Sequence, residues 1–389
     1  MNKVYNSQND IASEMKEFLL KSNPNIRKTQ LKIIPFISLG MILSESSVAC
    51  DIAKTLKDDF SFVQLDSVIR RIKRLFKNKL FDPYKFYDDV IRYVISNYKP
   101  KHDDKRVHIT FDHMFSHDNY TIFMITMRVG KQGIPLWFRC FKDKDDSKAF
   151  EEKLLKEGIS YVSSLFDSSY KLIFLADRWF NSTTLLQHID SLGHTYCIRL
   201  KRNIKVFVYD KKEGHKVWKF LDEIVPYKYH SKSFNDILLT DNSYKTNIVI
   251  SKTDGVSEPW IIVTNGSTKR AIKDYGYRFG SIESVFKNQK SNGFYIESVV
   301  KADLDYFTSM YTLVCFSTLY LTILGADYSK NSSCYKNVKI TTHKYFIENG
   351  IRVKKRVMSL FNTGLTLFHL AFNSSRYIRL PFSFTLYDI

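Results

Sequence analysis

The sequence predicts an α/β protein built around a mixed sheet. Val107, Ile109 and Phe111 alternate with polar neighbours, so 106–112 reads as a strand. Two apolar runs follow at 120–129 and 134–141, joined by Gly130-Lys131-Gln132-Gly133, a hairpin turn by composition. A helical stretch at 145–166 leads into the apolar run 171–176, and a short helix at 182–192 precedes a further strand at 194–200. The order is β-β-β-α-β-α-β. Three hairpin-linked strands followed by strands reached through helical crossovers describe a mixed sheet with helices on its faces.

This is the element order of the ribonuclease-H-like fold, and the flanks divide the chain around it. Residues 1–100 read as a helical domain. Leu65, Val68, Ile69, Ile72, Leu75 and Phe76 recur at helical spacing, while Arg70, Arg71, Lys73, Arg74, Lys77 and Lys79 crowd the rest of that helix. With the short helix at 47–56 before it, this basic helix fits a helix-turn-helix-like DNA-binding unit, and equally an ordinary bundle with a solvated basic face. Residues 101–201 form the first part of the core. Residues 202–266 hold five strand-like runs separated by polar turns and read as a β-rich insertion. Residues 267–326 return to helix and close the core, and 327–389 read as a C-terminal helical region. The uncharged stretch 307–325 is nearly long enough to span a bilayer. It carries Thr308, Ser309, Thr312, Ser317, Thr318 and Thr322, however, and is expected to be a buried helix covering a sheet, with no membrane partner.

Composition narrows the function. The 389 residues carry 59 Lys and Arg against 40 Asp and Glu, a net charge of +19. Such a charge repels itself unless a polyanion neutralises it; nucleic acid is the first candidate and an anionic membrane surface the second, against a basic protein with no polyanion partner, and the partner expected for this chain is double-stranded DNA. The five cysteines (Cys50, Cys140, Cys197, Cys315 and Cys334) are odd in number and far apart, without a C-x-x-C pair. That argues against a disulfide framework and a cysteine zinc site, and fits a reducing cytoplasm. The first residues lack the apolar core of a signal peptide. Richness in Lys, Asn, Ile, Phe and Tyr points by composition to an AT-rich bacterial genome.

The chemistry rests on carboxylates. Asp112 ends the first core strand, in Ile-Thr-Phe-Asp-His-Met, and Asp177 ends the fourth, in Phe-Leu-Ala-Asp-Arg-Trp-Phe. A single strand-end Asp is ordinarily a turn cap. Two at neighbouring strand ends repel each other unless a cation lies between them, and Mg²⁺ accepts such hard oxygen ligands. Glu283 offers a third ligand from the helix after the insertion, or else an i,i+4 partner for Lys287. Glu297 is its rival, about 21 Å further along if the helix is continuous.

Here the chain resembles a known family, the insertion-sequence DDE transposases with the Tyr-Arg-Glu-Lys signature, Y-x₂-R-x₃-E-x₆-K. The stretch reads Tyr275-Gly-Tyr-Arg278-Phe-Gly-Ser-Ile-Glu283, then six residues to Lys290, with four residues rather than three between Arg278 and Glu283. The resemblance runs over about residues 100–300. It implies that Asp112, Asp177 and Glu283 are the catalytic metal ligands for two Mg²⁺ ions, with Mn²⁺ as a substitute. It also implies that Tyr275, Arg278 and Lys290 contact DNA phosphates, with Lys287 as a helper. Trp260, in Glu258-Pro-Trp-Ile-Ile-Val-Thr, resembles the family tryptophan that stacks on a flipped base, a role weighed against plain core packing. The implied activity is DNA end cleavage and strand transfer by a dimer bridging two transposon ends, in a bacterial, nucleoid-associated enzyme. The rivals are an inert DNA-binding relic or regulator, and a nuclease of the same fold that cuts without joining.

Overall fold

A computed structural model describes residues 8–388, apart from 57–63, 102, 117–119, 143–147, 226–229, 241–242, 253–257, 301, 336–337, 349–350 and 374–384. Five helices come first: α1 (Gln8–Ser22), α2 (Lys28–Ser44), α3 (Ala49–Thr55), α4 (Leu65–Phe76) and α5 (Pro83–Ser96). In α4 the apolar stripe Val68, Ile72, Leu75 and Phe76 is buried. Arg70, Arg71, Lys73 and Arg74 lie on its exposed side. Asp82 caps α5 by accepting from the Lys85 amide at 3.0 Å, and Pro83 supplies its first turn.

After the short β1 (Tyr98–Lys99) the expected strands form: β2 (Arg106–Phe115), β3 (Tyr120–Val129), β4 (Gln132–Lys142), β5 (Lys171–Ala176) and β6 (Thr195–Arg199), with β2 paired to β3 three residues beyond the expected end, so that Asp112 stands within it and not at its end. The crossovers α6 (Lys148–Ser164) and α7 (Thr183–Ser191) lie between β4, β5 and β6. The first positions of the helix expected at 145–166, residues 145–147, lie outside the described residues. Strands β2, β5 and β6 are parallel to one another, whereas β3 runs antiparallel beside β2 and β4 antiparallel beside β3. The molecule is therefore a mixed α/β structure with a large mixed sheet.

The β-rich segment continues the main sheet. Its strands β7 (Lys205–Asp210), β8 (His215–Phe220), β9 (Ser231–Leu239), β10 (Tyr244–Ser251) and β11 (Trp260–Thr264), with the one-turn helix α8 (Leu221–Ile224) after β8, are an extension of the main sheet, not a separate layer. The ten strands run β4-β3-β2-β5-β6-β11-β10-β9-β7-β8. β11 pairs antiparallel with β6, Val263 opposite Ile198, and so satisfies an edge that would otherwise present unpaired amides and carbonyls.

Next come α9 (Thr268–Gly276), α10 (Ile282–Lys290) and α11 (Leu304–Lys330). Helix α11 is long and apolar enough to cross a membrane, yet its apolar window lies wholly inside the protein, as the sequence led us to expect. It packs against β4, α2, α4, α5 and α12 (Leu360–Asn373). Gly325 and Gly364 permit the crossing with α12, since a Cβ on either would stand 1.9 Å from a carbonyl oxygen of the other helix. One continuous apolar cluster runs from Ala12 to Leu386, so the helical region 1–100 shares its core with the sheet.

The C-terminal region also departs from the helical expectation. Besides α12 it holds an antiparallel pair, β12 (His343–Glu348) and β13 (Ile351–Arg356), and β14 (Leu386–Tyr387), which pairs with β1. Charge outweighs apolar pattern in 343–356, which therefore lacks the helical periodicity of a buried element.

Candidate functional site

Strand register brings the two aspartates together. Thr110 of β2 pairs with Leu175 of β5. Asp112, still within β2 and opposite Met124 of β3, and Asp177, just past the end of β5, each follow two residues later, so they stand at one level and on one face. On this face lie α9, the turn after it, and α10. Asp274 of α9, itself buried, is hydrogen-bonded to His108 of β2 at 3.2 Å and ion-paired with Arg106 at 3.7 Å. Arg128 of β3 donates from Nη1 to the carbonyls of Tyr277 at 2.5 Å and Phe279 at 2.9 Å. Gly280 takes φ +77°, a left-handed conformation that suits glycine, where the turn passes into α10.

This turn aims Arg278 into the site. Its Nη2 donates to Asp112 Oδ2 at 2.8 Å and its Nη1 to Glu283 Oε1 at 3.1 Å. Asp112 Oδ1 accepts from the His113 amide at 2.9 Å, and Asp177 Oδ1 accepts from the Trp179 amide at 2.8 Å. The guanidinium and the Asp112 carboxylate are nearly enclosed, with side-chain exposures of 11% and 19%, whereas Glu283 opens to solvent at 44%. Burial pushes the Asp112 pKa above its usual value and the Asp177 charge adds to this, while Arg278 and the His113 amide act against it. Glu283 stands in the first turn of α10, where the helix dipole favours a carboxylate.

Among the described residues, no three His, Cys, Asp or Glu side chains already stand together as a metal cage. The expected three-ligand arrangement is thus not assembled: Arg278 stands between Asp112 and Glu283 and supplies the positive charge there. The donors nonetheless fit a hard divalent ion. They are carboxylate oxygens, Asp112 feels the Asp177 charge, and Mg²⁺ needs few protein ligands when phosphate supplies others.

The remaining expected residues divide. Lys287 does not pair with Glu283, which takes Arg278 instead. Glu297 lies in a separate short turn beyond the end of α10, so the two glutamates do not share a helix. It accepts an ion pair from Lys290 at 2.7 Å. Tyr275 is buried among Ile173, Leu175, Val249 and Ile262, and burial raises its pKa, with Arg278 and Arg199 opposing. Trp260 is half-buried, edge-on to Tyr275 and stacked on Phe279 at 5.4 Å and 19°. Its packing role is therefore visible. Arg70, Arg71, Lys73 and Arg74 lie on the exposed side of α4, away from the carboxylates in sequence, while the helix itself packs on α2, α3 and α11.

Four residues near the site were not singled out from sequence. Arg128 holds the turn. Glu258 joins Arg178 at 3.1 Å and Arg199 at 2.8 Å, fastening the entry to β11 to the Asp177 loop. His113 lies against Trp179 and Phe180, with Nδ1 buried. Phe279, 45% exposed, carries the stacked Trp260. The fourth residue between Arg278 and Glu283 was the available clue to Phe279, and adjacency to Asp112 the clue to His113.

Comparison with known proteins adds the following. No protein-family model matches the chain. No curated protein matches it. Among solved structures it is similar to the piggyBac transposase in its synaptic complex with hairpin DNA, with 12% identity and a TM-score of 0.43 over 94% of this chain and 78% of that one. It is also similar to the Argonaute of Marinitoga piezophila in complex with guide RNA and target DNA. There the identity is 15% and the TM-score 0.23 over 60% of this chain and 36% of that one.

Proposed function

We propose that the chain is a DDE-type transposase with a ribonuclease-H-like core, cutting DNA at element ends and joining the freed ends to a target. One observation carries the reading. Asp112 within β2 and Asp177 just past β5 stand at one level on adjacent parallel strands, and Arg278 of the Tyr-Arg-Glu-Lys stretch links Asp112 to Glu283. The strand order β4-β3-β2-β5-β6 also supports the ribonuclease-H-like assignment.

Asp112, Asp177 and Glu283 are the residues that would hold Mg²⁺, or Mn²⁺ in its place. Bound there, the metal would polarise the scissile phosphate and activate the attacking water or 3′-OH. The protein's own groups do the positioning. Arg278 keeps positive charge beside the carboxylates, where it offsets charge developing on a phosphate. Arg128 and Asp274 hold the turn that aims it. Lys287 on the open side of α10, with Lys290 after release from Glu297, would bind DNA phosphates. The exposed cations of α4 would add sequence-independent grip on DNA. Two copies would bridge two ends.

The test is Mg²⁺-dependent cleavage of DNA carrying the element's own ends, comparing wild type with Asp112→Ala and Glu283→Gln. Wild type is expected to nick at the ends and each variant to lose at least about 10²-fold in rate, as for loss of a directly acting electrostatic group. Equal cutting by all three removes the site assignment. Binding without cutting by wild type assigns the chain to an inert DNA-binding role.

A further inference from the structure

The pair β12–β13 has the composition of a binding arm. Five Lys and Arg side chains, Lys344, Arg352, Lys354, Lys355 and Arg356, stand against one acid, Glu348. Register separates its two faces. His343 pairs with Arg356, Tyr345 with Lys354, and Ile347 with Arg352, so these six share one face. That face has no carboxylate, and the Arg352 guanidinium lies over the Tyr345 ring at 4.1 Å. The opposite face holds Glu348, which Lys355 neutralises.

The root is fixed to the body. Arg356 donates to Met358 O at 2.7 Å and to Ser329 Oγ at 2.9 Å, and the Val357 amide donates to Thr342 O at 2.9 Å. Away from the root the ribbon is uncovered. Ile347 is 81% exposed and Tyr345 58%. A two-stranded pair bare on both faces is marginal alone, and a partner that covers it would explain why it is basic and apolar together.

We propose that the face bearing Tyr345, Ile347, Arg352 and Lys354 docks on double-stranded DNA. The inference rests on the functional reading above and adds a contact outside its signature residues. A two-stranded ribbon fits the major groove, about 12 Å wide. Each strand, of six residues, reaches about 20 Å at ~3.3 Å per residue. Arg352 and Lys354 are available for phosphates, and Ile347 beside Arg352 meets sugar or thymine methyl surface. A second copy on this face would set cation against cation, so self-association is disfavoured.

The experiment measures fluorescence anisotropy of a labelled 30-base-pair duplex with full-length protein, wild type against Arg352→Ala/Lys354→Ala, over a KCl series. The expected result is roughly tenfold weaker binding at fixed salt. The slope of log K against log salt should also be shallower by about 1.8, as for two lost phosphate contacts at ~0.9 each. Circular dichroism melts should coincide. Unchanged affinity and slope for the variant, while wild type binds, overturn the ribbon proposal and leave the functional reading standing. Loss of dimer by light scattering with duplex binding intact reassigns the face to a second copy. Loss of binding to phosphatidylserine vesicles with duplex binding intact reassigns it to a membrane surface. A wild type that neither binds duplex nor cuts ends overturns the functional reading itself.

Discussion

At the scale of single residues, the buried charge of Asp112 carries a stability cost. Its folded pKa is raised by burial and by Asp177, so the folded state holds a proton more tightly than the unfolded chain. Stability therefore falls as pH rises from the usual carboxylate range through the raised value, and the loss persists above it. Asp112→Asn removes the charge and mimics the protonated acid: its one oxygen can still accept from the His113 amide, while an NH₂ replaces the oxygen that accepts from Arg278. In metal-free buffer this variant is expected to melt higher than wild type at neutral pH, with the gap closing as pH falls towards about 4. Equal melting curves at all pH values would show that Arg278 fully compensates the buried charge. The same variant is expected to lose Mg²⁺-dependent cleavage. The three acids and Arg278 were legible because each sits in a strand-end or spacing pattern. Arg128 and Glu258 were not, because their partners lie far along the chain, Arg128 binding Tyr277 and Phe279, and Glu258 binding Arg178.

At the scale of elements, the turn between α9 and α10 is the part on which the site depends. Arg128 alone donates to two of its carbonyls, and burial lowers the Arg128 pKa. Arg128→Ala leaves both carbonyls without this donor, which costs about 1–3 kcal/mol for partly buried groups. The expected readout is faster amide exchange across 277–281 and a lower melting temperature, with the β2–β5 amides unchanged. Uniform faster exchange would mean instead that Arg128 supports the whole fold. Alternation and turn composition made the strands from β2 to β6 readable, since their apolar residues face a core. The ribbon β12–β13 escaped because its side chains are exposed and its basic residues show no apolar period. The dipeptide Asn349-Gly350 between its two runs was the sequence signal available for it.

At the scale of the whole molecule, the segments that composition separates are joined by packing. Spacing and charge divide the chain at residue 100, and nothing local in the sequence reveals that α11 needs cover from both sides of that boundary. Phe316 of α11 stacks on Phe18 of α1 at 5.9 Å and meets Phe86 of α5 at 6.0 Å, while Tyr306 meets Phe76 of α4 at 5.1 Å. The Tyr87 hydroxyl of α5 donates to Pro135 O of β4 at 2.9 Å, across the same boundary. A fragment of residues 101–389 would expose these aromatic surfaces together, a patch far larger than single exposed apolar residues. Each buried aromatic side chain left bare forfeits about 1.5–3 kcal/mol of burial. The fragment is therefore expected to be insoluble or to bind a hydrophobic dye strongly, whereas the full chain stays soluble. A soluble fragment with native-like near-ultraviolet circular dichroism would show that residues 1–100 fold as an independent domain. In that case their basic helix α4 would belong to a detachable unit, not to a core shared with the sheet that carries Asp112 and Asp177.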